Sequence, residues 1–201
     1  MRLVALMVLL SIAAVGEDDK DKPRFAPGPA SSYPGHQTIE NITIAAVPYI
    51  TEEQSKIAFG KAFPSKFGVL PVLVILENGT GKALRLDIEA EFIDPGNRHV
   101  ESTPAEDVIY IGSGVKRPKL PGQTPYPNPF PHGPKKGPLN VSEITTRAFS
   151  AKMLPAGESA FGFFYFQTPH MPGSKIYLTG FKDATTGKDY FYFEVPIDAP
   201  K

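Results

Sequence analysis

Four histidines, His36, His99, His132 and His170, are the side chains best placed to move protons near neutral pH or to ligate metal. None has the spacing of a zinc motif. His170-Met171, with Met153, offers the imidazole and thioether groups that suit Cu(I). A blue-copper centre also needs a cysteine, and the chain has none, so these residues read better as loop positions. The same absence excludes a nucleophilic cysteine and a disulfide scaffold. Gly112-Ser113-Gly114 lacks the Gly-x-Ser-x-Gly form and leads into coil rather than a helix, so it reads as a loop entry. Asp183 and Asp189 bracket Thr185 and Thr186, which together fall short of the roughly six to eight oxygens that calcium takes. A hairpin turn accounts for them better. Asp87, Glu89 and Glu91 share one face of a strand. Paired acids for glycoside hydrolysis need a cleft and one raised pKa, whereas strict alternation with apolar residues marks a solvated face. The expectation is no catalytic residue, no metal and no cofactor.

Two aromatic groups are candidates for recognition. Tyr190 and Tyr192 alternate with Phe191 and Phe193. If the phenylalanine face is buried, the tyrosines form an exposed stripe able to stack on sugars or peptides. Packing of these tyrosines beneath a loop is the alternative. Tyr126 and Phe130 lie in Tyr126-Pro127-Asn128-Pro129-Phe130-Pro131, a preformed segment able to dock in an aromatic groove. They belong to a proline-rich loop over residues 112–140, with eight prolines between Pro118 and Pro138. Such a density forbids a strand ladder and gives polyproline II character. A loop this long is functional or disordered, and both readings stand. Asn41-Ile42-Thr43, Asn78-Gly79-Thr80 and Asn140-Val141-Ser142 match the glycosylation acceptor, a triplet that arises often by chance.

The elements that would position these groups are mostly strands. Thr38 to Val47, with Ile39, Ile42, Ile44 and Val47, reads as a first strand. Glu52 to Ala62 is ambiguous. Glu52-Glu53-Gln54 can open a short helix, but Ile57 and Phe59 alternate, and a strand is preferred. Gly68 to Glu77 is a nearly unbroken apolar run, with Pro71 expected at the strand start or on an edge. Asn78-Gly79-Thr80-Gly81 is a turn. Leu84, Leu86, Ile88, Ala90 and Phe92 then alternate with charged residues, the pattern of a strand wet on one face. Together these two strands predict a hairpin. Asp94-Pro95-Gly96-Asn97 is a further turn, and Val100 and Val108 to Ile111 are short strand candidates. A strand is expected from Glu143 to Met153, with Arg147, Phe149, Ala151 and Met153 on one face. Leu154-Pro155-Ala156-Gly157-Glu158 turns into aromatic-rich Phe161 to Gln167, and Ser174 to Phe181 with Asp189 to Val195 closes the chain as a hairpin. Seven to nine short strands with short turns and no repeats indicate an all-β, antiparallel two-sheet sandwich.

Residues 1–16 read as a signal peptide. Arg2 precedes an apolar run from Leu3 to Val15, and small residues at Ala14-Val15-Gly16 put the cut before Glu17. The run is short of the about 20 residues that span a bilayer, which disfavours a retained anchor. Residues 17–37, charged and then rich in proline and glycine, read as a flexible leader. Residues 38–198 are then one domain. Without Arg2 the chain carries 20 basic and 21 acidic side chains, and this neutrality argues against a nucleic-acid partner. A cysteine-free exported protein suits a bacterial envelope, so the expected location is secreted or periplasmic.

The Gly68-Val69-Leu70-Pro71-Val72-Leu73-Val74 strand, the Asn78-Gly79 turn and the Leu154 to Glu158 turn before an aromatic strand resemble immunoglobulin-like or fibronectin-type-III-like modules of exported bacterial proteins. The resemblance covers Thr38 to Asp198 apart from the proline loop. The antibody pattern of two cysteines and a tryptophan is absent. Such modules bind, space or assemble more often than they catalyse, although fold does not fix function. The leading expectation is a non-enzymatic module that binds a protein or envelope component. Carbohydrate binding through Tyr190 and Tyr192 is the second, and a hydrolase with an unrecognised site the third.

Overall fold

The computed structural model describes residues 25–114 and 137–198. The expected signal segment and most of the proline-rich loop lie outside them. The elements are β1 (His36–Ile39), β2 (Ile42–Pro48), α1 (Glu52–Phe59), β3 (Leu70–Asn78), β4 (Leu84–Ile93), β5 (His99–Glu101), α2 (Ala105–Val108), α3 (Ser142–Thr146), β6 (Met153–Leu154), β7 (Ser159–Phe166), β8 (Lys175–Asp183) and β9 (Phe193–Pro196). They form two antiparallel sheets, β1-β2-β3-β7 and β5-β4-β8-β9, with β6 also paired to β4. Two sheets face to face are the sandwich the alternating strands predict.

The inner core lies between the sheets. Leu70, Val72, Val74 and Leu76 of β3 meet Leu84, Leu86 and Phe92 of β4 and Ile176, Leu178 and Phe181 of β8. Burying each such side chain stabilises the fold by about 1.5–3 kcal/mol. A second core covers the opposite face of the first sheet. There Val69, Leu73, Ile75, Phe163 and Tyr165 pack beneath Ala58 and Phe59 of α1, Val108 of α2 and Ile144 of α3. β3 is thus buried on both faces, which is why its sequence runs apolar without alternation. β4 keeps one wet face and therefore alternates.

Several expectations are corrected here. The single strand from Thr38 to Val47 is a hairpin, because Glu40 and Asn41 take left-handed φ values of 46° and 65°. Ile39 then pairs with Ile42 across the turn. The strand preferred over residues 52–62 is the helix α1. Thr51 and Gln54 form a reciprocal capping box, and Ser55, Ala58 and Phe59 turn inward together. Residues 108–111 end α2 and form a turn. The strand from Glu143 to Met153 is replaced by α3 and an irregular run. Only Met153-Leu154 pairs with β4, while residues 147–149 lie along β7 through Phe149 N–H to Phe163 O and Phe163 N–H to Arg147 O. That close approach uses Gly162, where a Cβ would come within 2.4 Å of Phe149 Cα.

The predicted β3–β4 hairpin does not form, since the two strands belong to opposite sheets. The buried side chain of Asn78 redirects the chain. Its Nδ2 donates to the carbonyls of Lys82, Leu154 and Pro155 at 2.7, 3.0 and 2.9 Å. Its Oδ1 accepts from the N–H and hydroxyl of Thr80. The closing hairpin of β8 and β9 forms as expected. Pro71 sits second in β3, where its carbonyl accepts from Tyr49 N–H.

The margins of the sandwich are tied. Glu194 N–H of β9 donates to Gln37 Oε1 of β1 at 3.0 Å. On the far side Thr103 N–H donates to Tyr165 O of β7. The chain from Phe25 onward is laid on the second core. Ala30 is fully buried and its N–H donates to Glu77 Oε1 at 2.8 Å. Among the described residues, no helix is long and apolar enough to cross a membrane.

Candidate binding groove

An open groove of about 850 Å³ lies on the helical side of the first sheet. Three separate segments build it: residues 25–28 and Tyr33, the stretch from Tyr49 through α1 to Lys61, and α3 with its flanks. Its apolar lining is aromatic. Tyr49 meets Phe163 edge-on at 4.9 Å between ring centroids, and Phe25 packs on Tyr49 at 6.2 Å and on Phe163 at 5.7 Å. Burial pushes the Tyr49 hydroxyl up to about 12, so it stays neutral.

Arg147 fastens two walls together. Its guanidinium lies 4.8 Å from the centre of the Phe25 ring, and Nη1 donates to Ile57 O at 2.9 Å. α3, which carries the Glu143 wall, is itself anchored from below. The buried Tyr165 hydroxyl donates to Ile144 O at 2.7 Å, and burial raises its pKa further still. Gly28 N–H donates to the Tyr33 hydroxyl, which closes the small loop on the opposite wall.

The rim is basic. Lys56, Lys61 and Arg147 line the groove against one carboxylate, Glu143. Lys56 and Lys61 are exposed and form no ion pair among the described residues. Between them stands Ile57, 68% exposed, one of the largest apolar side chains left in contact with solvent. The arrangement offers aromatic faces, an aliphatic ridge and two exposed ammonium groups. That is chemistry for holding a ligand.

The residues singled out in the sequence lie elsewhere. Tyr126 and Phe130 fall outside the described residues. Tyr190 is half-buried against the inner core, with the Lys188 ammonium 5.8 Å from its ring centre. Tyr192 is 51% exposed and packs on Tyr177 at 5.1 Å. Phe191, expected to face inward with Phe193, is 70% exposed, because β9 begins only at Phe193 and the chain before it is irregular. Tyr192 and Phe191 line a shallower hollow of about 450 Å³ with Gln37, Ile39 and Glu194.

The candidate metal and acid groups are engaged with protein donors. Asp183 accepts from the N–H groups of Thr185 and Thr186 and from Lys82 Nζ, and these hold its carboxyl down at about 2. Asp189 pairs with Lys182. Asp87 pairs with Arg85, and Glu91 with His99 at 2.7 Å. His170 bonds Asp198 at 2.8 Å, Met171 packs on the inner core, and Met153 is exposed on β6. Ser113 donates to Tyr110 O. Asn78 is sealed by its own hydrogen bonds, whereas Asn41 and Asn140 are exposed.

The groove was missed because its parts fall in segments read as leader and strands. One signal could have found it: the Thr51-x-x-Gln54 capping box marks the helix that carries Lys56 and Ile57. The fold defines a two-sheet β-sandwich with a helical cover on one sheet. Compared with known proteins, the chain matches no family model and no curated protein.

Proposed function

We propose that this protein is a non-enzymatic binding module, an exported sandwich of the immunoglobulin-like or fibronectin-III-like kind, that holds a protein or cell-envelope component in the groove between residues 25–28, α1 and α3. The groove itself carries the reading. It combines an aromatic lining and an exposed aliphatic ridge, the apolar centre expected of a recognition surface, with charged side chains on its rim. The paired antiparallel sheets and the leucine- and valine-rich β3 support the structural half of the proposal.

Selection of a displayed random-peptide library on the immobilised protein tests it. Enriched peptides are expected to lose at least tenfold in affinity against Ile57→Asp, a surface change that leaves both cores intact, and to bind Tyr192→Ala normally. Absence of enrichment, or binding indifferent to Ile57→Asp, would refute it.

Exposure of Phe191 and Tyr192 beside Tyr177 favours a second reading, carbohydrate binding on that aromatic platform. A glycan array probed with wild type and Tyr192→Ala decides it. No glycan lost by the variant would remove this reading.

A further inference from the structure

Resting on the groove as the binding site, we infer that its ligand is an acidic peptide segment, one in which carboxylates alternate with aromatic or aliphatic side chains. Charge complementarity carries the inference. Three cations face one carboxylate along the lining, and Lys56 and Lys61 lack partners among the described residues. Exposed lysines are ordinary. Here, however, they flank Ile57 above a floor of Phe25, Tyr49 and Phe59, so a ligand must satisfy charge and apolar surface together.

The type of cation narrows the anion. A guanidinium fork holds a compact phosphate with two parallel N–H bonds, a geometry that lysines, binding it as point charges, do not supply. Arg147 is committed to another task, with its face on Phe25 and Nη1 on Ile57 O. What remains are separate ammonium point charges on flexible stems, one within α1 and one just past it. Separate point charges suit separate carboxylates spaced along an extended chain. The groove's open form suits the same occupant, because its walls come from three separate segments and it stays open to solvent.

Fluorescence anisotropy with the full chain tests this. The probes are a fluorescein-labelled octapeptide of alternating phenylalanine and aspartate, the same peptide with asparagine for aspartate, and the same peptide with lysine. The aspartate peptide is expected to bind at least tenfold more tightly than the asparagine peptide and to weaken as salt rises from 50 to 500 mM. The double variant Lys56→Glu/Lys61→Glu should abolish that preference. Glu143→Gln, which removes the one opposing carboxylate, should tighten binding. Equal affinity for the aspartate and asparagine peptides, both sensitive to Ile57→Asp, would overturn the acidic-peptide inference while leaving the groove as a binding site. Insensitivity to Ile57→Asp would overturn both. Sedimentation with phosphatidylglycerol vesicles, without peptide binding, would assign the cations to a membrane surface and overturn the inference as well.

Discussion

Replacement of Asn78 should expose how the chain passes from one sheet to the other. The amide has two hydrogens, and three carbonyls surround its Nδ2 within 3.0 Å, so one hydrogen is shared. The Leu154 carbonyl is the buried member of the three. In Asn78→Ala it loses its donor where water does not reach, at a cost of about 1–3 kcal/mol. The Lys82 and Pro155 carbonyls and the Thr80 donors are partly exposed and recover water. Their loss adds about 0.5–1 kcal/mol each at the low end of a net hydrogen bond. The sum is about 3–7 kcal/mol, large against a total stability of about 5–15 kcal/mol. Urea unfolding followed by circular dichroism measures it as a fall in midpoint at unchanged slope. Thr80→Val should cost only about 1 kcal/mol. Asn78→Asp carries a sharper test. A carboxylate facing three carbonyls is disfavoured when ionised, so its folded pKa is raised above the unfolded value of about 3.9. The variant should therefore be least stable at neutral pH and recover as pH falls through that raised pKa. A loss below 1 kcal/mol for Asn78→Ala, or an Asn78→Asp variant indifferent to pH, would show that the amide does not direct the crossover.

Tyr165→Phe leaves Ile144 O buried without its donor. It should cost about 1–2 kcal/mol and speed amide exchange at Arg147, whose N–H closes α3 on Glu143 O. Asp183 is held at about 2 by the Thr186 N–H, the Lys82 ammonium and the Thr185 N–H, below an unfolded value of about 3.9. Its stabilisation is therefore complete above the unfolded pKa and lost as pH falls from about 4 through 2. Thermal melts across that window should flatten in Asp183→Asn, and an unchanged pH profile would contradict the assignment. Ser55 Oγ is buried without a hydrogen-bond partner among the described residues, so Ser55→Ala should leave stability unchanged or raise it by up to about 1 kcal/mol. A clear loss in chemical denaturation would mean that the hydroxyl has a partner after all.

The layered architecture was legible because its signals are local. Alternation in β4 reports one wet face, and the turns at Asp94 to Asn97 and Leu154 to Glu158 lie where glycine, proline and asparagine place them. The apolar run of β3 announces burial, but its partner is decided at long range by Asn78 reaching residues 76 and 77 positions away in the chain. α2 and α3, four and five residues long, are too short to show a helical period. In α1 two signals compete. The alternation of Ile57 and Phe59 favours a strand, while the capping box specifies a helix, and the helix wins because Phe59 joins Ala58 in the outer core and Ile57 turns to solvent. The groove was not legible at all, because its walls come from residues near 25, 57 and 145, which only the tertiary fold brings together.

The stems at Ser113 and Gly137 have a consequence for engineering. A Cβ on Gly137 would lie 2.8 Å from that of Ser113, so the chain leaves and re-enters the domain at one point. Closure of a span whose ends touch depends only logarithmically on its length. Between these stems, flexible inserts of 22 and of five residues would differ in closure by about 1.3 kcal/mol. Leu139, fully buried just beyond, anchors the re-entry point. The domain therefore has a socket. Stems this close accept a folded unit whose own termini are adjacent.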